Sequence, residues 1–221
     1  MNHTPDYSRD HYSGGRKADH PISSLFLQRW SPRAFDASSM PEADLLTLLE
    51  AARWAPSAYN IQPWRFVYVL RDDSDWERYL ALLDPFNADW AGAASALLFL
   101  VSDRLMPNDR GAHPPARSQT HSFDAGAAWA HLALQATALG YQAHAMAGIR
   151  FEVIRQRLSI PDNYRIEIAV AIGRLAAPSR LPSALRQRET PSSRLPLDRI
   201  AFAGRFPSQS TQTPRKRARR G

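Results

Sequence analysis

Residues 55–64 read APSAYNIQPW and place a polar, turn-rich loop between a helical pattern and a strand pattern. Before this loop, residues 41–54 repeat leucine and alanine at helical spacing. After it, residues 65–70 have the aromatic and β-branched content of a buried strand. Such a loop suits a planar heterocyclic ligand, or it is an ordinary turn whose polar groups bond their own backbone. The side chains that could do either are Ser57, Asn60 and Gln62.

A second polar segment, RWSPRAF at residues 29–35, precedes the predicted helix. It places the guanidinium groups of Arg29 and Arg33 four residues apart, with the Ser31 hydroxyl between them. The arginine guanidinium donates paired hydrogen bonds to phosphate oxygens, and a serine hydroxyl can donate a further one. The segment alone is also typical of a solvated surface. A phosphate-bearing ligand is therefore expected, and the combination of this segment with the loop is more specific than either segment alone.

The two segments together resemble the amino-terminal signature of the FMN-dependent nitroreductase superfamily. The matching residues are Arg29-x-Ser31-x-Arg33-x-Phe35 and Ala51-Ala52-x-x-Ala55-Pro56-Ser57-x-x-Asn60-x-Gln62-Pro63-Trp64. Further segments follow in the order found in that family, and the resemblance covers roughly residues 22–206. These segments are residues 87–90, 96–101, 124–140, 146–148, 171–173 and 188–197.

The resemblance implies an α+β fold in which a mixed β-sheet is sandwiched by helices, with FMN at a homodimer interface. It also implies an NAD(P)H-dependent, nitroreductase-like flavin oxidoreductase. Hydride would pass from NADH or NADPH through bound FMN to a nitroaromatic, a quinone or a similar small acceptor, with ping-pong kinetics. Because the flavin carries the chemistry, no side chain is expected to be catalytic.

The same resemblance implies three groups of cofactor-binding residues. The FMN phosphate would be held by Arg29, Ser31, Arg33 and Arg194, with Trp30 beside them. The flavin ring or ribityl chain would meet Pro56, Ser57, Ala58, Asn60 and Gln62. Backbone amides near the reactive edge of the ring would come from Ala147 and Gly148, preceded by Met146.

Two departures from the family pattern concern the phosphate. Trp30 stands where many relatives have a second arginine, and Ser193 precedes Arg194 where another cation often occurs. A lower phosphate affinity is therefore expected. The acceptor is left open among nitroaromatics, quinones, enones and free flavin. Two alternative functions are a specialised flavoenzyme of the same fold, of the dehalogenase or flavin-fragmenting type, and a non-enzymatic flavin-binding protein.

Composition favours one folded domain with polar ends. The 221 residues are 44% hydrophobic, enough to bury a substantial core. We expect a domain at residues 21–206, a disordered segment at residues 1–20 and a disordered basic tail at residues 207–221. Five of the seven net positive charges lie between residues 215 and 220, so no specific nucleic-acid partner is expected for the folded body.

Several other site classes are excluded by the sequence. The chain has no cysteine, which removes disulfides and thiolate chemistry. Its seven histidines show no metal-ligand spacing, so no metal is expected, and His144 alone is of interest as a neighbour of the active site. No glycine-rich Rossmann motif occurs. No apolar stretch is long enough to span a bilayer and no signal peptide is visible, so a cytoplasmic protein is expected.

Two more segments carry predictions. Residues 123–139 form an alanine-rich helical pattern that is apolar on most sides, which indicates burial on most sides. This fits either a central helix of a monomer or the homodimer interface that the resemblance implies. Residues 106–122 contain three prolines and a glycine and are predicted to form a loop or lid over the site.

Overall fold

The computed structural model describes residues 15–106 and 116–207. The helices in these ranges are α1 (Leu25–Gln28), α2 (Glu42–Arg53), α3 (Trp76–Leu80), α4 (Pro85–Ala91), α5 (His121–Ala138), α6 (Phe151–Arg157) and α7 (Ser183–Arg186). The strands are β1 (Trp64–Leu70), β2 (Ala96–Asp103), β3 (Gln142–Met146) and β4 (Tyr164–Gly173). The predicted helix at residues 41–54 and the predicted strand at residues 65–70 are confirmed by α2 and β1.

The four strands form one sheet in the order β1-β2-β4-β3, and each neighbouring pair is antiparallel. A mixed sheet was expected, but all pairings among the described strands are antiparallel. Helix α5 returns the chain between β2 and β3, so these two strands point in the same direction. They do not pair, because β4 lies between them and runs opposite to both. A parallel pairing is thus avoided by insertion of the last strand.

Both faces of the sheet are covered, which confirms the α+β sandwich. Strand β2 is buried on both sides, and its side chains alternate between two cores. On one face, Leu98 packs with residues of α2 and α5. On the other face, Phe99 packs with residues of α3, α4 and α6. No helix in the described ranges is long and apolar enough to cross a membrane.

An irregularity in β4 fixes the amino end of α5. Between Val101 and Leu100 the register with β4 skips Glu167, so this residue is the extra residue of a β-bulge. The Glu167 carboxylate accepts hydrogen bonds from the hydroxyl groups of Ser102 at 2.5 Å and Ser122 at 2.7 Å. A negative charge at a helix amino terminus is favourable. The bulge therefore anchors the first turn of α5 to the sheet.

The predicted loop at residues 106–122 is shorter at its carboxyl end than expected. His121 and Ser122 belong to α5, because the bulge residue Glu167 accepts a bond from the Ser122 hydroxyl in the first turn. At the base of the loop, Leu105 pairs with Arg117 in an antiparallel bridge. Residues 107–115, which hold most of the predicted lid, lie outside the described residues, as do residues 1–14 and 208–221 of the predicted disordered ends.

Candidate flavin site

Five arginines surround one cavity of about 260 Å³ beside β3, which we call the arginine cavity. The structure brings together here the residues expected to hold a phosphate, although they are far apart in the sequence. The lining consists of Arg16, Arg29, Trp30, Ser31, Arg33, His144, Arg188, Thr190, Ser192 and Arg194. Of these, Arg16, Arg188, Thr190 and Ser192 were not predicted as site residues.

Backbone contacts hold residues 29–34 at this position. The Trp30 N–H donates to the Gln142 side-chain oxygen at 3.3 Å, which ties the segment to β3. The N–H groups of Arg33 and Ala34 both donate to Glu189 Oε1, at 2.6 and 2.8 Å. Glu189 is buried and reaches this segment from more than 150 residues away in the chain. The segment is therefore fixed between the edge strand and the carboxy-terminal region.

The electrostatics of the arginine cavity favour an anion. Burial, followed by the nearby Arg194, lowers the pKa of Arg29. Burial and Arg188 lower the pKa of Arg33, and Glu189 partly opposes this shift. None of the described lining residues carries a carboxylate. Like charges thus lie close together in a partly desolvated space, where the adjacent Glu189 offsets only part of the charge of Arg33.

The donors of this cavity fit a phosphate. Arg33 Nε is buried and has no hydrogen-bond partner. The Arg29 guanidinium is half-buried and donates no hydrogen bond to a described residue. Charge-assisted hydrogen bonds from arginine to phosphate oxygens would satisfy both groups. A phosphate monoester is the kind of group that this donor set suits.

His144 lies on the wall of the arginine cavity as a neutral side chain. It contacts the Trp90 ring at a centroid distance of 4.7 Å, and its Nδ1–H donates to the Pro32 carbonyl at 2.8 Å. Burial, opposed by this hydrogen bond, lowers the pKa of His144 to about 4. The imidazole therefore adds no positive charge to the cavity at neutral pH and leaves Nε2 as an acceptor.

The loop at residues 56–62 bonds largely to itself. The Gln62 N–H donates to Ser57 Oγ at 3.0 Å, and the Gln62 side-chain amide donates to the Asn60 carbonyl at 2.9 Å. Asn60 is exposed, and its side chain makes no hydrogen bond with a described residue. Tyr59, Asn60 and Gln62 all have positive φ, which is strained for residues other than glycine. Strain of this kind is commonly kept where a backbone must meet a ligand.

A single chain does not bring this loop to the arginine cavity. The Ala58 N–H donates to Asp124 in the first turn of α5 at 3.3 Å. The arginine cavity lies beside β3, which begins shortly after the last turn of α5. Helix α5 has 18 residues and is therefore roughly 27 Å long. Two of the predicted groups of cofactor-binding residues thus lie toward opposite ends of this helix.

The third predicted group, Met146, Ala147 and Gly148, lies at the carboxyl end of β3, of which Met146 is the last residue. Met146 is buried in the core, whereas the N–H groups of Ala147 and Gly148 donate no hydrogen bond to a described residue. The Gly148 carbonyl accepts from the Asn87 side chain at 2.9 Å, and a Cβ at Gly148 would lie only 2.4 Å from that amide. A side chain here would force the Asn87 amide of α4 to move and would disturb this hydrogen bond. The two unpaired N–H groups are free to meet a ligand.

A sequence model described as the Nitroreductase family matches residues 26–174. The chain belongs to the Nitroreductase family. A solved structure of an oxidoreductase containing FMN is 51% identical to this family member, with a TM-score of 0.85, and the match covers 89% of this chain and 98% of the other.

Two curated relatives of this nitroreductase-family chain are also similar. An NADH dehydrogenase from Thermus thermophilus is 30% identical over 201 residues, which are 80% of this chain and 92% of the relative. An oxygen-insensitive NADPH nitroreductase from Helicobacter pylori is 37% identical over 88 residues, which are 38% of this chain and 41% of the relative. The family named from residues 29–35 and 55–64 is confirmed.

Proposed function

We propose that this family member is an FMN-dependent oxidoreductase that moves hydride from NADH or NADPH through FMN to a small acceptor by a ping-pong mechanism. The acceptor would be a nitroaromatic, a quinone or a similar compound. The observation that carries this proposal is the arginine cavity, since its unpaired donors suit the phosphate of FMN. Similarity to a structure of an oxidoreductase containing FMN supports the same cofactor.

In this proposal the chain binds and orients the cofactor, and FMN when bound supplies the hydride chemistry. Arg29, Ser31, Arg33 and Arg194 would hold the phosphate. The free N–H groups of Ala147 and Gly148 would donate hydrogen bonds to the edge of the ring, and such donors stabilise negative charge that develops there. Neutral His144 would leave the charge balance of the cavity to the arginines.

We further infer a homodimer in which each flavin site takes its arginines from one subunit and its loop, residues 56–62, from the other. The separation of these two regions along α5 supports this arrangement. So does the outer face of α5, where Phe123 is 81% exposed and Gly126 and Ala130 are also exposed. Small residues permit close approach of two helices, and an exposed phenylalanine next to them favours burial against a partner.

The phosphate assignment is tested with the double variant Arg29→Ala/Arg33→Ala. Each substitution removes charge-assisted hydrogen bonds, so FMN affinity should fall by roughly a hundredfold or more. The flavin content of purified protein and the dissociation constant of FMN measure this. The control is Arg53→Ala/Arg78→Ala, which removes two exposed arginines paired with Glu50 and Asp75. Unchanged flavin content in the first variant would contradict the assignment.

The reaction itself is tested by adding NADH or NADPH to the FMN-loaded protein without oxygen and then supplying a quinone. Bleaching of the flavin absorbance followed by steady consumption of the donor supports the enzyme. A bound flavin that neither bleaches nor turns over would favour the non-enzymatic flavin-binding protein. Turnover with a halogenated or flavin substrate in place of quinones and nitroaromatics would favour the specialised flavoenzyme.

The shared site is tested with mixed dimers. One chain carries Arg29→Ala/Arg33→Ala, the other carries Ser57→Ala/Asn60→Ala, and dimers with one copy of each are isolated through two different affinity tags. If each site draws on both subunits, a mixed dimer has one doubly altered site and one intact site, and it binds one FMN with normal affinity. Absence of any tight site in the mixed dimer would show that each site lies within one chain.

A further inference from the structure

Arg16 stands apart from its neighbours in the amino-terminal segment. It lies ten residues before the part of the chain that matches the family model, residues 26–174. Among residues 15–20 it is the one that is half-buried, while the others are exposed. Its side chain lines the arginine cavity, and the adjacent Lys17 does not. A residue outside the family match therefore contributes to the wall of the candidate phosphate site.

Three backbone carbonyls hold the Arg16 guanidinium in place. Nη1 donates to the carbonyls of Leu27 at 3.1 Å and Arg29 at 2.8 Å, and Nε donates to the Ser192 carbonyl at 3.0 Å. These contacts join the amino-terminal segment, the end of α1 and the carboxy-terminal region. Nη2 makes no hydrogen bond with a described residue. Two donor hydrogens of a fixed guanidinium thus stay available on a side chain that lines the cavity.

The position of Arg16 is electrostatically unfavourable unless an anion is close. Burial, followed by Arg194 and Arg29, lowers the pKa of Arg16. The contacts that hold it are neutral carbonyls, and no carboxylate among the described lining residues offsets the charge. Carbonyl oxygens can position a guanidinium but cannot cancel the repulsion among three neighbouring cations. A dianion placed between them would turn this repulsion into attraction.

We propose that Arg16 is a phosphate-binding residue of the flavin site, and that the phosphate joins the amino-terminal segment to the carboxy-terminal region around Ser192 and Arg194. This inference rests on the proposed function, because the phosphate is that of FMN. Arg16 uses Nε and Nη1 to hold the two segments together and Nη2 to bind the phosphate. Its contribution is therefore specific to flavins that carry a phosphate.

The test compares FMN with riboflavin, which has the same ring and ribityl chain without the phosphate. Dissociation constants of both flavins are measured for the full-length, flavin-depleted protein by quenching of flavin fluorescence, at low and high salt. Arg16→Ala should weaken FMN binding by roughly 10- to 100-fold and leave riboflavin binding unchanged. The salt dependence of FMN binding should also become shallower, because one cation is lost.

Two matched variants accompany Arg16→Ala. Lys17→Ala removes the same charge one residue away and should leave the affinity for FMN unchanged, because Lys17 does not line the cavity. Arg16→Lys keeps the charge without the planar fork and should give an intermediate affinity. An equal loss of FMN and riboflavin in Arg16→Ala would overturn the inference and leave Arg16 with a purely structural role. So would an unchanged affinity for FMN. If the wild-type chain bound neither flavin, the proposed function itself would fail.

Discussion

Glu189 is the residue whose replacement tests most directly how the arginine segment is held. Its Oε1 atom accepts the N–H groups of Arg33 and Ala34 at 2.6 and 2.8 Å, and its side chain is 6% exposed. Its Oε2 atom is buried without a partner. Glu189→Ala removes the acceptor and leaves two backbone donors unpaired. Glu189→Gln keeps an acceptor oxygen at the same place and removes only the charge.

The expected loss in the free energy of unfolding follows from these two backbone donors. Leaving a buried polar group without its partner costs about 1–3 kcal/mol, so Glu189→Ala should lower the free energy of unfolding by about 4 kcal/mol. Glu189→Gln retains both hydrogen bonds in weaker, neutral form and should cost about 1 kcal/mol. The two variants should differ for FMN as well. The alanine variant displaces the segment and weakens binding, whereas the glutamine variant removes a negative charge near the phosphate and binds FMN at least as tightly as the wild type.

Urea unfolding followed by circular dichroism gives the free energies, and a constant denaturant slope ensures that they are comparable. Fluorescence titration gives the FMN affinities. If the alanine and glutamine variants lost the same free energy, the two hydrogen bonds would not be what holds the segment. If the glutamine variant bound FMN much more weakly than the wild type, the charge of Glu189 would have a role that the geometry does not describe.

Three further substitutions give measurable outcomes. Gly148→Ala should lower flavin content and thermal stability, because the new Cβ would lie 2.4 Å from the Asn87 amide. Gly173→Ala should cost about 1–3 kcal/mol in urea unfolding, because the Cβ would lie 2.8 Å from the buried Phe35 ring. Since the folded pKa of His144 is lowered to about 4, the unfolded chain binds more protons below pH 6.5, and stability should fall by about 3 kcal/mol as the pH drops from 6.5 to 4. His144→Gln should flatten that part of the stability profile, and an unchanged profile would contradict the shift.

The strands that could be predicted from the sequence are those with a strong local signal. Strands β1 and β4 are rich in aromatic and β-branched residues, β2 contains a continuous apolar run, and helix α2 has regular leucine spacing. Strand β3 reads QAHAM and lacks both signals, so the sequence did not predict it as a strand. Its strand conformation comes from pairing with β4, a tertiary contact that local patterns do not encode.

The candidate site also combines residues that local sequence patterns identify with residues whose place depends on tertiary contacts. Residues 29–33 were identified from their spacing, and the structure brings them into one cavity with Arg194. Arg16 could not be found in this way, because its place depends on a hydrogen bond to Ser192, 176 residues away. The sequence likewise placed the loop at residues 56–62 in the site without showing that α5 separates it from the arginines. Met146, predicted to contact the cofactor, is also a core residue, since strand alternation turns its side chain inward.

The absence of carboxylates among the described residues lining the arginine cavity has a practical consequence for handling this protein. A guanidinium cluster that is not neutralised by carboxylates in its lining attracts small oxyanions of suitable shape. Inorganic phosphate and sulfate present oxygen atoms in nearly the same arrangement as a phosphate monoester. Buffers and precipitants containing them should compete with the cofactor during purification and crystallisation. We therefore expect the FMN content of the purified protein to depend on the anion in the buffer.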